Sequence, residues 1–179
     1  MKRVLIVCLA ILMVVVCSGC EKKEATMSVR KYNRIVKEIQ ANAELIQKGI
    51  EEISKLQDDE ATFLYINRSI IRKGNAKEEL QNTNETLVQL FIKIRGLNGI
   101  TVANNRIDFG GWGRLLTSSI GFCYCPSDTL TIEDLMGANA EGKTILIDDD
   151  TYYWHEREGN NEAFIKKIQT NFFYYEIWW

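Results

Sequence analysis

Histidine is almost missing from this sequence. His155 stands alone, and beside Cys20 only two cysteines, Cys123 and Cys125, lie beyond the first twenty residues. A closed tetrahedral zinc site would therefore have to recruit a carboxylate. The spaced His-Glu pairs of metalloproteases and the glycine-flanked serine of hydrolase elbows are both absent. Proline occurs once, at Pro126, so no ring interrupts the helical patterning of the N-terminal part. No apolar run reaches the roughly 20 residues that a membrane-spanning helix requires. Positive charge is scarce after residue 98: residues 99–179 hold six Lys and Arg against twelve Asp and Glu. That balance excludes a phosphate-backbone partner, so no nucleic-acid binding is expected.

What is present begins with Met1-Lys2-Arg3, a short positive segment. Val4 to Cys17 then runs without a charge and is rich in Val, Ile and Leu. This has the length of a signal-peptide core rather than of an anchor. It ends at Cys17-Ser18-Gly19-Cys20, after which Glu21-Lys22-Lys23-Glu24 turns the chain polar. Ser18-Gly19-Cys20 resembles the lipobox of bacterial lipoproteins, with Cys17 where that family usually carries Leu. The resemblance implies that residues 1–19 are a cleaved signal peptide and that Cys20 is acylated. It also implies that the mature protein is membrane-anchored on the extracytoplasmic face through residues 20–27. An uncleaved signal anchor and a soluble secreted protein are the alternatives.

The remainder divides by composition. Fourteen of the eighteen aromatic residues, including all four Trp, lie after residue 98, whereas residues 20–98 are aliphatic and rich in Lys and Glu. From Ser28 the apolar set Val29, Tyr32, Val36, Ile39, Ala43, Ile46, Ile50 and Ile53 recurs with four-three spacing. Such a period describes a helix with a coiled-coil-like seam, about 45 Å long at 1.5 Å per residue over 28–57. A second arm over 59–95, kinked near Gly74, would close a helical hairpin over 28–98; a homo-oligomeric coiled coil is the alternative.

Beyond Asn98-Gly99 the period changes to two. Ile100–Val102 and Arg106–Phe109 flank Asn104-Asn105, a hairpin signal. Gly110-Gly111-Trp112-Gly113 reads as a loop, Ser119–Cys125 as a strand, and Thr131–Leu135 as one helical turn. Thr144–Ile147 and Tyr152–His155 read as a second hairpin around Asp148-Asp149-Asp150, Asn161–Gln169 as a short helix, and Phe172–Trp179 as a closing strand aromatic on both faces. The expected class is α+β: a helical hairpin followed by a small antiparallel-sheet domain over 99–179. The glycine-tryptophan loop, the Gly-Phe-Cys-Tyr-Cys-Pro strand and the Asn-Phe-Phe-Tyr-Tyr ending resemble an uncharacterised module of secreted or anchored Gram-positive proteins. That resemblance implies no activity and no site residues.

Chemistry-bearing residues are few. Asp148-Asp149-Asp150 lacks the glycine and terminal glutamate of a helix-loop-helix calcium site and reads as a solvated turn. Cys123 and Cys125 on an extended strand share a face about 6.6 Å apart, too far for the roughly 3.8 Å between bridged Cβ atoms. Two packed thiols are the preferred reading; a strained bridge or a metal site stays open. Exposed aromatics serve interfaces, which makes Trp112, Tyr152 and Trp154 the candidate binding residues, Trp112 foremost because its glycines free the loop. No catalytic residue, metal ligand or cofactor is assigned. The expected function is a non-catalytic binding module on a helical spacer, facing an envelope protein or glycan. An envelope hydrolase using Asp148, Asp150 and His155, with a metal or as an acid-base site, is the alternative.

Overall fold

The computed structural model describes residues 26–57, 63–74, 79–103, 106–113, 117–136 and 141–179. The expected signal peptide and Cys20 lie outside these residues, as does the expected turn at Asn104-Asn105. Ten strands form one sheet, antiparallel throughout: β1 Phe63–Ile66, β2 Ile70–Lys73, β3 Glu79–Gln81, β4 Gly99–Ala103, β5 Arg106–Gly110, β6 Ser118–Tyr124, β7 Gly142–Asp148, β8 Thr151–Glu156, β9 Glu162–Gln169 and β10 Phe172–Trp178. Their spatial order is β3-β2-β1-β4-β5-β6-β10-β9-β8-β7. The helices among the described residues are α1 Val29–Ala41, α2 Ala43–Leu56, α3 Glu85–Lys93 and α4 Ile132–Met136.

The α+β class stands, but the helical hairpin does not. Phe63–Ile66, Ile70–Lys73 and Glu79–Gln81, expected in the second helical arm, are strands, and among the described residues of that arm only Glu85–Lys93 is helical. The turn at 67–69 is built by Asn67, whose Oδ1 accepts from the N–H groups of Ser69 (2.8 Å) and Ile70 (2.9 Å). A short side chain that satisfies the backbone two and three residues ahead favours a turn over a helix. β1 then pairs with β4, Leu64 opposite Val102 and Ile66 opposite Ile100. The sheet thus runs across residue 98, where the change of composition suggested a boundary.

The seam on 28–57 faces the sheet rather than a second long helix. Ile39, Ile46, Ile50 and Ile53 are buried as the spacing requires; Val29 and Ala43 are exposed, and Ile35, outside the heptad set, is buried. The helix also breaks at Asn42. Its side-chain Nδ2 donates to the Glu38 carbonyl at 2.9 Å, beside its own backbone N–H, which donates to the same carbonyl at 3.1 Å. Gly49 gives α2 its close approach to α3, because a Cβ there would stand 2.5 Å from the Leu90 side chain. Asn84 caps α3 by accepting from Leu87 N at 3.1 Å.

Two cores occupy opposite faces. Helices α1, α2 and α3 cover one face, over Leu64, Ile66, Ile100, Phe109, Phe122 and Tyr174. On the other face Cys123, Cys125, Leu130, Ile132, Trp154, Ile165, Phe173, Tyr175 and Ile177 pack together, with Leu135 and Met136 of α4 against them. The last strand, expected to close the sheet, lies inside it: β10 pairs with β6 on one side and β9 on the other. It is aromatic on both faces, as its sequence suggested, because alternate residues enter each core. Asn161–Gln169, expected as a helix, is strand β9, held between β8 and β10. β7 forms an outer edge with every residue exposed, Ile145, Leu146 and Ile147 included.

Candidate functional site

A cleft of about 540 Å³ opens on the face covered by α4. One wall is the segment from Asp128 to Glu133, the other is the β7–β8 turn with Asp149 and Asp150, and the floor is Tyr152, Ile165, Lys167 and Phe173. The first wall is fixed by Asp128, whose φ of 56° puts it in the left-handed region. Asp128 Oδ1 accepts from Asn171 N at 2.6 Å and Oδ2 from Lys167 Nζ at 2.7 Å. The lysine, with the backbone N–H of Asn171, holds the Asp128 carboxyl below the usual aspartate range. Lys167 Nζ also stands 5.7 Å from the centroid of the Phe173 ring.

The second wall is pinned from the other side of the sheet. Lys166 Nζ donates to Thr151 Oγ1 at 2.7 Å and pairs with Asp148 at 3.3 Å. The Asp148 carboxyl is held low, first through its side-chain interaction with Thr151 and then through the Asp150 N–H. Asp148 closes the β7–β8 turn internally, by accepting from Asp150 N at 3.0 Å. Asp149 and Asp150 remain at the cleft with Glu133 facing them from the opposite wall. Among the described residues that line it, the result is an acidic rim, a single cation tied to Asp128, and one open aromatic ring, Tyr152, 41% exposed.

The structure separates the three candidate binding residues. Tyr152 lies in the cleft. Trp154 is 3% exposed and belongs to the core beneath α4. Trp112 is half-buried against the helix-covered core, its ring centroid 6.1 Å from that of Phe122, and its Nε1–H donates to Arg95 O at 3.1 Å. The glycines around it make a tight bend rather than a free loop. Gly96 has φ 100° and Gly111 has φ 143°; a Cβ on Gly96 would stand 2.6 Å from Trp112 Nε1, and one on Gly111 would strike the Gly96 carbonyl. The spacing of glycines could not distinguish these cases, because both need the same small residues.

Asp148 and His155 are not brought together. Asp148 stands opposite Thr151, four residues along β8 from His155, roughly 13 Å at 3.3 Å per residue. His155 faces Glu162 instead, Nδ1 to Oε1 3.9 Å, and Glu162 accepts from the Tyr153 hydroxyl at 3.0 Å. Among the described residues no group of three His, Cys, Asp or Glu is arranged to hold a metal ion. Cys123 and Cys125 are free, buried and side by side, Sγ to Sγ 3.8 Å. Burial pushes the Cys123 thiol well up, while the hydrogen bond from Cys123 draws Cys125 down.

Sequence reasoning missed Asp128, Glu133 and Lys167 as cleft residues. Asp128 carried the only available signal, its place after Pro126-Ser127 in a turn. Lys167 was read on a helix, which hid the face it shares with Ile165. Compared with models of protein families, with curated proteins and with solved structures, the chain matches none.

Proposed function

We propose that the protein is a lipid-anchored extracytoplasmic binding protein, acylated on Cys20 and without catalysis of its own, whose ligand is an envelope glycan held in the Tyr152 cleft. The observation that carries this reading is the cleft itself: a concave site with one open aromatic ring among acidic and hydroxyl groups. An aromatic face suits the apolar face of a sugar ring, while the carboxylates of Asp149, Asp150 and Glu133 and the hydroxyls of Thr129 and Thr131 suit its O–H and N–H donors. The acidic rim repels polyphosphates and attracts amino sugars. The sequence after Val4 supports the anchor, through the short apolar run ending at Ser18-Gly19-Cys20.

Calorimetric titration with N-acetylglucosamine oligomers and their deacetylated counterparts tests the ligand class. The deacetylated oligomers are expected to bind more tightly, and Tyr152→Ala is expected to weaken them about tenfold, or about 1.4 kcal/mol. Binding of neither series, or equal binding by Tyr152→Ala, overturns the glycan reading. Metabolic labelling with a fatty-acid probe tests the anchor: Cys20→Ala should lose the label.

A further inference from the structure

The chain enters α1 at a fixed place. Ser28 N donates to Glu176 Oε1 at 2.8 Å, and Glu176 is fully buried. One helical turn on, the Tyr32 ring meets Tyr174 edge-to-face at 5.4 Å. Helix α1 therefore starts over the C-terminal end of β10 and runs back along it. The described chain begins just before that point, with Met27 packed against the helix-covered core.

The same end carries exposed apolar surface. Trp179 is 57% exposed although its backbone N–H is held by Thr117 O at 3.3 Å, so the ring is presented by the sheet. Trp178 is half-buried and meets Phe164 edge-to-face. Val29, at the start of α1, is 62% exposed, and Arg30 beside it is exposed as well. The cleft lies at the other end: Phe173, on its floor, is five residues before Trp178, about 17 Å along the strand. Asp128, Asp148, Asp149 and Asp150 are all at that far end.

We infer that the Trp178–Trp179 end of the sheet is a lipid-facing surface, seated on the membrane with Trp179 and Val29 at its interface and the cleft turned away. This rests on the reading of Cys20 as acylated. From Cys20 to Ser28 the chain spans at most about 28 Å, which keeps this end within reach of the bilayer at all times. Tryptophan, with an apolar body and one N–H, prefers the headgroup level. Arg30 suits anionic headgroups, while Glu162 opposite Trp178 and Glu156 opposite Gly142 place carboxylates at the same end of the sheet. The lipid surface is the occupant that matches a short tether and an exposed indole beside an exposed valine together.

The test uses the full lipidated protein in vesicles of phosphatidylcholine and phosphatidylglycerol, with and without brominated acyl chains. Flotation reports the anchor, and tryptophan quenching reports the surface. The parent should float and be quenched. Trp178→Phe/Trp179→Phe should float equally and lose more than half of the quenching, whereas Trp112→Phe should keep it. Near-ultraviolet dichroism of the double variant checks that the sheet is intact, and Trp179→Phe alone serves if it is not. A protein that floats without quenching, or with quenching that survives the double variant, overturns the lipid-facing surface and leaves the anchor standing. A protein absent from the floated fraction overturns the anchor, and with it the orientation.

Discussion

Replacing Trp112 by alanine separates a packing residue from a binding residue, and the structure sets the size of the effect. The indole is half-buried, rests against Phe122, and spends its only donor on Arg95 O. Fully buried aromatics cost about 3–5 kcal/mol on truncation to alanine. Half that burial gives about 2 kcal/mol, and the lost hydrogen bond adds about 1 kcal/mol. For a domain of this size each kcal/mol moves the midpoint by about 2–4 °C, so Trp112→Ala should melt about 6–12 °C below the parent. Trp112→Phe keeps a ring against Phe122 and loses only the donor, so its fall should be about a third as large. Differential scanning calorimetry measures both, and titration with the cleft ligand should find both unchanged in affinity. A shift below about 2 °C for Trp112→Ala would refute the packing argument, and weakened ligand binding at unchanged stability would return Trp112 to the site.

Ile53, fully buried between α2 and the sheet, should not tolerate a charge: Ile53→Asp is expected to lose about 3–5 kcal/mol and cooperative unfolding with it, read by urea titration. Asp128 predicts an acid limb. Its carboxyl is held below its ordinary value of 3.8 by Lys167 and Asn171 N, so the folded state binds that proton less readily than the unfolded chain. The stabilisation is complete above the ordinary value and is lost as pH falls through the lower folded one. Asp128→Asn should therefore be less stable than the parent at pH 6, with the gap narrowing as pH falls below the ordinary value of 3.8; a gap that does not narrow on acidification would contradict the ion-pair account.

Elements whose pattern is set by near neighbours were legible in the sequence. The β4–β5 and β7–β8 hairpins, β6, the turn of α4 and the apolar stripe of α1 and α2 all follow from alternation, turn residues or four-three spacing. Elements decided by distant partners were not. Phe63–Ile66 and Ile70–Ile71 are apolar runs too short to distinguish period two from period 3.6. β1 is made a strand by β4, more than thirty residues onward, and β2 by its pairing with β1 and β3. Glu162–Gln169 carries three central apolar residues, then lysines, and satisfies a helix equally well in isolation; β8 and β10 on its two sides make it a strand. The site followed the same rule. Tyr152 was visible as an aromatic in a hairpin, but which aromatics remain open depends on what covers each face, and α4 with the Asp128–Glu133 segment covers Trp154 while leaving Tyr152 bare.

The position of β10 has a consequence for how the molecule comes into being. The last of the ten strands in chain order is the one that joins β6 to β9. Until residues 172–178 are available, the nascent protein has two separate ribbons, each with an unpaired apolar edge, and Ser28 has no Glu176 to receive its N–H. One continuous sheet therefore cannot form before residues 172–178 are available, and until then the two ribbons depend on being kept apart from other copies.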